Sequence, residues 1–196
     1  MPSSLRVTWD YLCPFARNAH TMLVEAIRTE RITVPVAFHA FSLTQNHVEV
    51  GEPSVWDRLA GARGSGVLAL EWGIAVRDHF PDAFLNWHVQ MYAARHDSSL
   101  DINDPNVLRD VAVSCDLEPD AIERVVATGE PIATLRDEHT EAVDRWSVFG
   151  VPTFISDDEA VFIRFMSATA LDDLERAIAL LDATNINEFK HTTVPR

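Results

Sequence analysis

The sequence predicts an α/β protein whose small sheet is split by a long helical block. Two observations carry this. Short β-prone runs lie towards both ends, Leu5–Trp9 and 34–43 on one side and the runs VPTFIS and AVFIRF on the other. The stretch between them, 54–147, reads as almost wholly helical. The element order is therefore β-α-β, a helical block, then β-β-α.

Each element has a local reason. LRVTW at Leu5–Trp9 is short, apolar and β-prone, as a buried strand is. After a break at Asp10–Pro14, residues 15–28 place Ala19, Met22, Leu23, Ala26 and Ile27 at helical spacing. Pro14 opens that helix, where its missing N–H leaves no bond unmade. The run VPVAFHAFSL at 34–43 is predicted as the second strand. With no hairpin turn between the two strands, the unit is expected to be parallel. In the helical block, Asp104-Pro105 and Glu118-Pro119-Asp120 read as helix starts. There Trp56, Leu59, Leu68, Leu70, Ile74, Trp87, Met91 and Tyr92 are expected to pack helix against helix. Near Gly150 the pattern becomes strand-like, and VPTFIS and AVFIRF, joined at Asp157-Asp158, are predicted to form an antiparallel hairpin. A final amphipathic helix is predicted over 170–182, with Leu171, Leu174, Ala177, Ile178 and Leu181 on one face. The domain reading is discontinuous: 1–53 with 148–196 form the sheet domain, and 54–147 an inserted helical one.

Composition narrows the function. The 196 residues, 47% of them hydrophobic, suffice for one large core. A net charge of −14 disfavours nucleic acid and anionic membranes, which need clustered cations. No apolar stretch reaches the ~20 residues of a membrane span, and the N-terminal MPSSLRVTWDYLCPF lacks the pattern of a secretory signal, so a cytoplasmic location is expected. The histidines show no metal-binding spacing, no phosphate loop is present, and no metal is expected. Two cysteines far apart, Cys13 and Cys115, are in a reducing compartment more often catalytic or inert than bridged.

Cys13 carries the chemistry. It follows a strand and opens a helix, facing unpaired backbone N–H groups and the positive end of the helix dipole. Both favour the thiolate, so its pKa is expected below that of a free thiol. The thiolate is the attacking species in disulfide exchange. The second feature is Phe149-Gly150-Val151-Pro152-Thr153-Phe154, with a proline just ahead of a strand, a place that suits a cis bond.

Together these features resemble a known family. Asp10-Tyr11-Leu12-Cys13-Pro14-Phe15-Ala16 resembles the redox loop of DsbA-like thioredoxin-fold oxidoreductases, and Gly150-Val151-Pro152-Thr153 their cis-proline loop. The helical block matches that family's insertion. The tail Glu188-Phe189-Lys190-His191-Thr192-Thr193 resembles that of cytosolic actinobacterial members, which include mycothiol-dependent nitroreductases. The resemblance implies an α/β, thioredoxin-like fold with an inserted all-helical domain. It also implies that Cys13 attacks substrate, with Pro14, Phe15, Ala16, Val151, Pro152 and Thr153 binding the substrate or thiol and the Val151 backbone holding it extended.

One departure is decisive. Family members usually carry a second cysteine where this chain has Ala16. Closure of a disulfide within the motif is thereby excluded, which leaves monothiol chemistry: Cys13 forms a mixed disulfide and an external thiol resolves it. No tightly bound cofactor is expected; mycothiol or glutathione is the expected co-substrate, with a disulfide or an electrophile as substrate. Two alternatives stand. One is an enzyme like the kappa-class glutathione transferases and 2-hydroxychromene-2-carboxylate isomerases, in which the residue at the helix start activates a bound thiol. The other is a binding protein whose redox chemistry has decayed. A homodimer is left open.

Other residues carry less. Cys115, near a helix end, is expected to be a buried spectator rather than the resolving thiol. His20 is expected to be a surface or half-buried helix residue too far from Cys13 to serve as its base, and His39 an ordinary sheet histidine. Trp9 and Trp146 lie near the two loops in sequence, as cleft lining or as core.

Overall fold

The computed structural model describes residues 3–156 and 159–181, with residues 183, 185, 186 and 188 of the tail. The Asp157-Asp158 turn and residues 189–193 of the tail fall outside the described residues.

Four strands form one mixed sheet in the order β2-β1-β3-β4. Strand β1 (Leu5–Trp9) pairs in parallel with β2 (Val36–Ala40), Val7 opposite Phe38. On its other side β1 pairs antiparallel with β3 (Thr153–Ser156), and β3 pairs antiparallel with β4 (Glu159–Phe162). The parallel pair requires a crossover, which α1 (Pro14–Arg28) supplies. Leu5, Val7 and Trp9 are buried, and so is Thr8 on the opposite side of the strand, so the central strand is covered on both faces.

The second strand is shorter than the 34–43 run. It stops at Ala40 because Ser42 caps a short helix, α2 (Leu43–Asn46), its hydroxyl accepting from the Gln45 N–H at 3.1 Å. The final helix, α8 (Leu171–Ala179), likewise stops short of 182.

Between α2 and β3 lie two single 3₁₀ turns and five helices: α3 (Val67–His79), α4 (Pro81–His96), α5 (Pro105–Ser114), α6 (Pro119–Ala127) and α7 (Glu130–Trp146). Asp104 caps α5 through the Asn106 N–H at 2.9 Å. Buried apolar residues of the sheet, α1 and these helices form one continuous cluster; Trp9, Met22, Trp72, Trp87 and Phe154 all belong to it. Leu59 departs from its expected place: it sits in a loop beyond the first 3₁₀ turn and is 85% exposed.

Candidate functional site

The site grows from the junction of β1 and α1. Cys13 is the N-cap of α1 in extended conformation, and its Sγ accepts from the Ala16 N–H at 3.4 Å. Pro14 takes the first helical position, where no donor is missed. Opposite stands the loop before β3, in which the Val151-Pro152 peptide bond is cis. The Cys13 thiol donates to the Val151 carbonyl at 3.2 Å. Two loops 138 residues apart in sequence thus meet at one sulfur.

Thr153 fastens the second loop. Its N–H donates to the Thr8 hydroxyl at 2.9 Å, and its own hydroxyl donates to the Gly150 carbonyl at 2.7 Å. Val151 and Thr153 are buried, whereas Phe149 is exposed at the loop's mouth. Ala16, where a second cysteine would stand, is fully buried. Phe15 is half-buried, with the Arg164 guanidinium 5.5 Å from its ring centroid.

The thiol departs from its expected acidity. Burial pushes the Cys13 pKa up; the Ala16 and Phe15 N–H groups pull it down by less, and the Asp10 charge adds to the rise. The helix terminus is in place, but desolvation of a thiol only 8% exposed outweighs it. At rest Cys13 is a protonated thiol that spends its hydrogen on a carbonyl.

Asp10, at the head of the Cys13 motif, carries a role that its sequence context does not mark. Its carboxylate is fully buried and accepts from the Leu12 N–H and the Leu43 N–H, each at 2.8 Å. It therefore joins the loop before Cys13 to the first residue of α2. Burial pushes its pKa up to about 6 against the pull of those two bonds. Leu12 and Leu43 both line an open cleft of about 550 Å³, together with Val48, Glu49, Glu52 and Arg58. Two glycines keep space for the loop. A Cβ on Gly66, which has φ +75°, would lie 2.8 Å from the Leu12 side chain. A Cβ on Gly73, within α3, would lie 2.7 Å from the Tyr11 hydroxyl.

Helix α4 grips the same loop from behind, through His88, Tyr92 and His96, four residues apart on one helix face. The His96 Nε2 donates to the Tyr11 carbonyl at 2.9 Å and the Tyr92 hydroxyl to the Asp10 carbonyl at 3.3 Å. His20 is fully buried rather than at the surface, because α4 covers the face of α1 that bears it. Its Nε2 lies 3.0 Å from the Thr8 carbonyl, which can only accept, so that nitrogen carries the hydrogen. His20 Nδ1 must then accept from His88 Nε2 at 3.0 Å, and His88 Nδ1 from the Tyr11 hydroxyl at 3.1 Å. Both rings are neutral in this arrangement, and burial depresses both pKa values, that of His20 to about 4. The spacing of His88, Tyr92 and His96 was a readable signal, but their partners are backbone groups that no sequence pattern marks.

The remaining residues divide between core and surface. Trp9 is wholly buried against Phe84 and His88. Trp146 is half-buried beneath Arg6 and Arg145. His39 lies half-buried in β2 opposite Thr8. Cys115 is buried at the end of α5 with its sulfur 3.9 Å from the Ser114 hydroxyl. Among the described residues no group of His, Cys, Asp or Glu is placed to hold a metal, and no helix is long and apolar enough to cross a membrane.

Comparison with known proteins agrees with this architecture. Residues 83–179 match the model of the DSBA-like thioredoxin domain. Among solved structures, a probable DsbA oxidoreductase from Streptomyces coelicolor superposes with a TM-score of 0.65 at 16% identity, covering 96% of this chain and 93% of its own. A 2-hydroxychromene-2-carboxylate isomerase gives 0.64 at 16% identity, covering 90% and 95%. The cytosolic disulfide reductase DsbM from Pseudomonas aeruginosa, solved with GSH, gives 0.62 at 19% identity, covering 90% and 97%. At these identities the likeness is one of fold. A comparison with curated protein sequences returned no match.

Proposed function

We propose that this chain, with its thioredoxin-like fold and its match to the DSBA-like thioredoxin domain over residues 83–179, is a monothiol oxidoreductase working through Cys13 and a low-molecular-weight thiol. The observation that carries the reading is the Cys13 sulfur at the N-cap of α1, 3.2 Å from the Val151 carbonyl, with Ala16 in place of a second cysteine. Substrate entry displaces the Cys13–Val151 hydrogen bond, and the thiol proton passes to solvent, from which the departing thiolate is later reprotonated. The Cys13 sulfur attacks one sulfur of a disulfide; the S–S bond breaks and the other half leaves as thiolate. A second small thiol attacks the mixed disulfide, restores the Cys13 thiolate and departs as the new disulfide. The Ala16 N–H that bonds the sulfur stabilises the thiolate at both steps. Pro14, Phe15, Val151, Pro152 and Thr153 frame the bound partner.

Mycothiol or glutathione is the co-substrate in this reading, and the compartment is the cytoplasm, as for the P. aeruginosa reductase. A second reading draws support from the resting thiol, which acts as a hydrogen-bond donor. In an isomerase- or transferase-like mechanism Cys13 would orient a bound thiol rather than attack. The test is intact mass after mixing reduced protein with oxidised glutathione or with oxidised mycothiol. One adduct, absent from Cys13→Ser and removed by free thiol, supports exchange and identifies the co-substrate. No adduct, where unfolded protein reacts, moves the assignment to the second reading or to a binding role.

A further inference from the structure

Asp10 places an uncompensated charge behind the reactive sulfur. Its oxygens are met by the Leu12 and Leu43 N–H groups rather than by a cation. By contrast Glu71, also buried, is held by Arg63 with both oxygens at 2.7 Å. A carboxylate in a low-dielectric interior acts strongly on nearby charge, and bulk salt screens it poorly. The two residues it clips, Leu12 and Leu43, are apolar walls of the cleft that reaches the residue next to Cys13. Glu49 and Glu52 also line that cleft, against Arg58 alone among the described arginines.

We propose that Asp10 is a specificity-determining residue: its buried charge makes Cys13 select uncharged partners with an apolar part over anionic ones. This rests on Cys13 being the nucleophile, and it bears on the co-substrate: an uncharged thiol is favoured over one bearing carboxylates. As a disulfide or electrophile approaches Cys13, its own negative charge and the forming thiolate both meet the Asp10 field. An uncharged partner meets it only through the thiolate.

The experiment is alkylation of Cys13 by iodoacetamide and by iodoacetate, which share a leaving group and differ in charge. It is run in a Cys115→Ala background at about pH 8.5, near the free-thiol pKa. Asp10→Asn is expected to raise the iodoacetate-to-iodoacetamide rate ratio by roughly three- to tenfold. The wild-type ratio should stay low at high salt, where the contributions of Glu49, Glu52 and net surface charge are screened. Equal acceleration of both reagents, or an unchanged ratio, overturns the proposal, since the carboxylate then acts through loop geometry alone. Asp10→Ser, which keeps one acceptor oxygen, is the second variant if the asparagine protein does not fold. Alkylation needs no disulfide exchange. A protein with the charge effect that takes up neither oxidised thiol sinks the exchange reading and leaves the selectivity standing; one that exchanges without the charge effect does the reverse.

Discussion

The Cys13 thiol and the Val151 carbonyl share a hydrogen bond of 3.2 Å that ties the start of α1 to the loop opening β3. Such a bond needs the proton, so it holds the sulfur in its less reactive form. Burial works in the same direction. The first prediction follows. The alkylation rate of Cys13 should rise with pH to a midpoint above about 8.5, the value of a free thiol. The sign carries over to folding: a raised pKa contributes stability below the unfolded value that is lost as pH rises through the folded one. A midpoint below that of a free thiol would show that the helix terminus prevails over burial.

Asp10 gives a second pH dependence of stability. Its folded pKa of about 6 lies above the ordinary 3.8, so the folded state binds the proton more tightly. The stability tied to Asp10 is thus full below about pH 4 and lost as pH rises through about 6. A shift of that size is worth on the order of 3 kcal/mol. Asp10→Asn should lack this component, so urea unfolding of wild type minus variant should slope downward between those pH values. A flat difference would mean that Asp10 keeps an ordinary pKa in the folded protein.

Legibility from sequence follows which groups bond to which. Leu5–Trp9 is read correctly to the residue, because a short apolar strand ended by Asp10 has one interpretation. The end of β2 is misplaced, because Phe41 continues the apolar run while Ser42 caps the next helix through its side chain. The Cys13 N-cap is legible, since strand, cysteine and proline mark a helix start; its acidity is not, since that depends on what covers the sulfur. The burial of His20 is illegible for the same reason. Its environment is set by His88 on α4, 68 residues away in sequence.

The chain Tyr11–His88–His20–Thr8 is predicted to be structural. His88→Leu deprives the Tyr11 hydroxyl of its acceptor and His20 Nδ1 of its donor, both fully buried. Each such buried group costs about 1–3 kcal/mol, so a total loss of about 3 kcal/mol is expected in chemical denaturation. In the wild type the two depressed histidine pKa values mean stability present above the ordinary 6.5 and lost as pH falls towards about 4. The leucine variant should lose part of that acid sensitivity. If it unfolds at the wild-type urea midpoint, the chain contributes nothing.

Arg63 and Glu71 anchor the loop beyond the cleft onto α3, with the carboxylate nearly without solvent contact. Arg63→Ala leaves that acid unpaired, and breaking such a pair costs about 3–5 kcal/mol. Burial already raises the Glu71 pKa even with its partner present. The variant should therefore be least destabilised at acid pH, where the acid is neutral, and most at pH values above its pKa. A penalty independent of pH would trace the loss to packing of the Arg63 stem instead.

The last prediction restores what the motif lacks. Ala16 lies in the first turn of α1, its N–H 3.4 Å from the Cys13 sulfur and its side chain fully buried. Ala16→Cys adds a sulfur to a closed site, so the reduced protein should lose about 1–3 kcal/mol of stability. On oxidation the introduced thiol should attack any mixed disulfide at Cys13, close a disulfide within the motif and release the small thiol. The oxidised variant should then be lighter by two hydrogens, and its glutathione adduct should no longer accumulate. Persistence of the adduct at the wild-type level would mean that a side chain at position 16 cannot reach Cys13. The wild type would then be monothiol through the geometry of the α1 start as well as through the absence of a second sulfur.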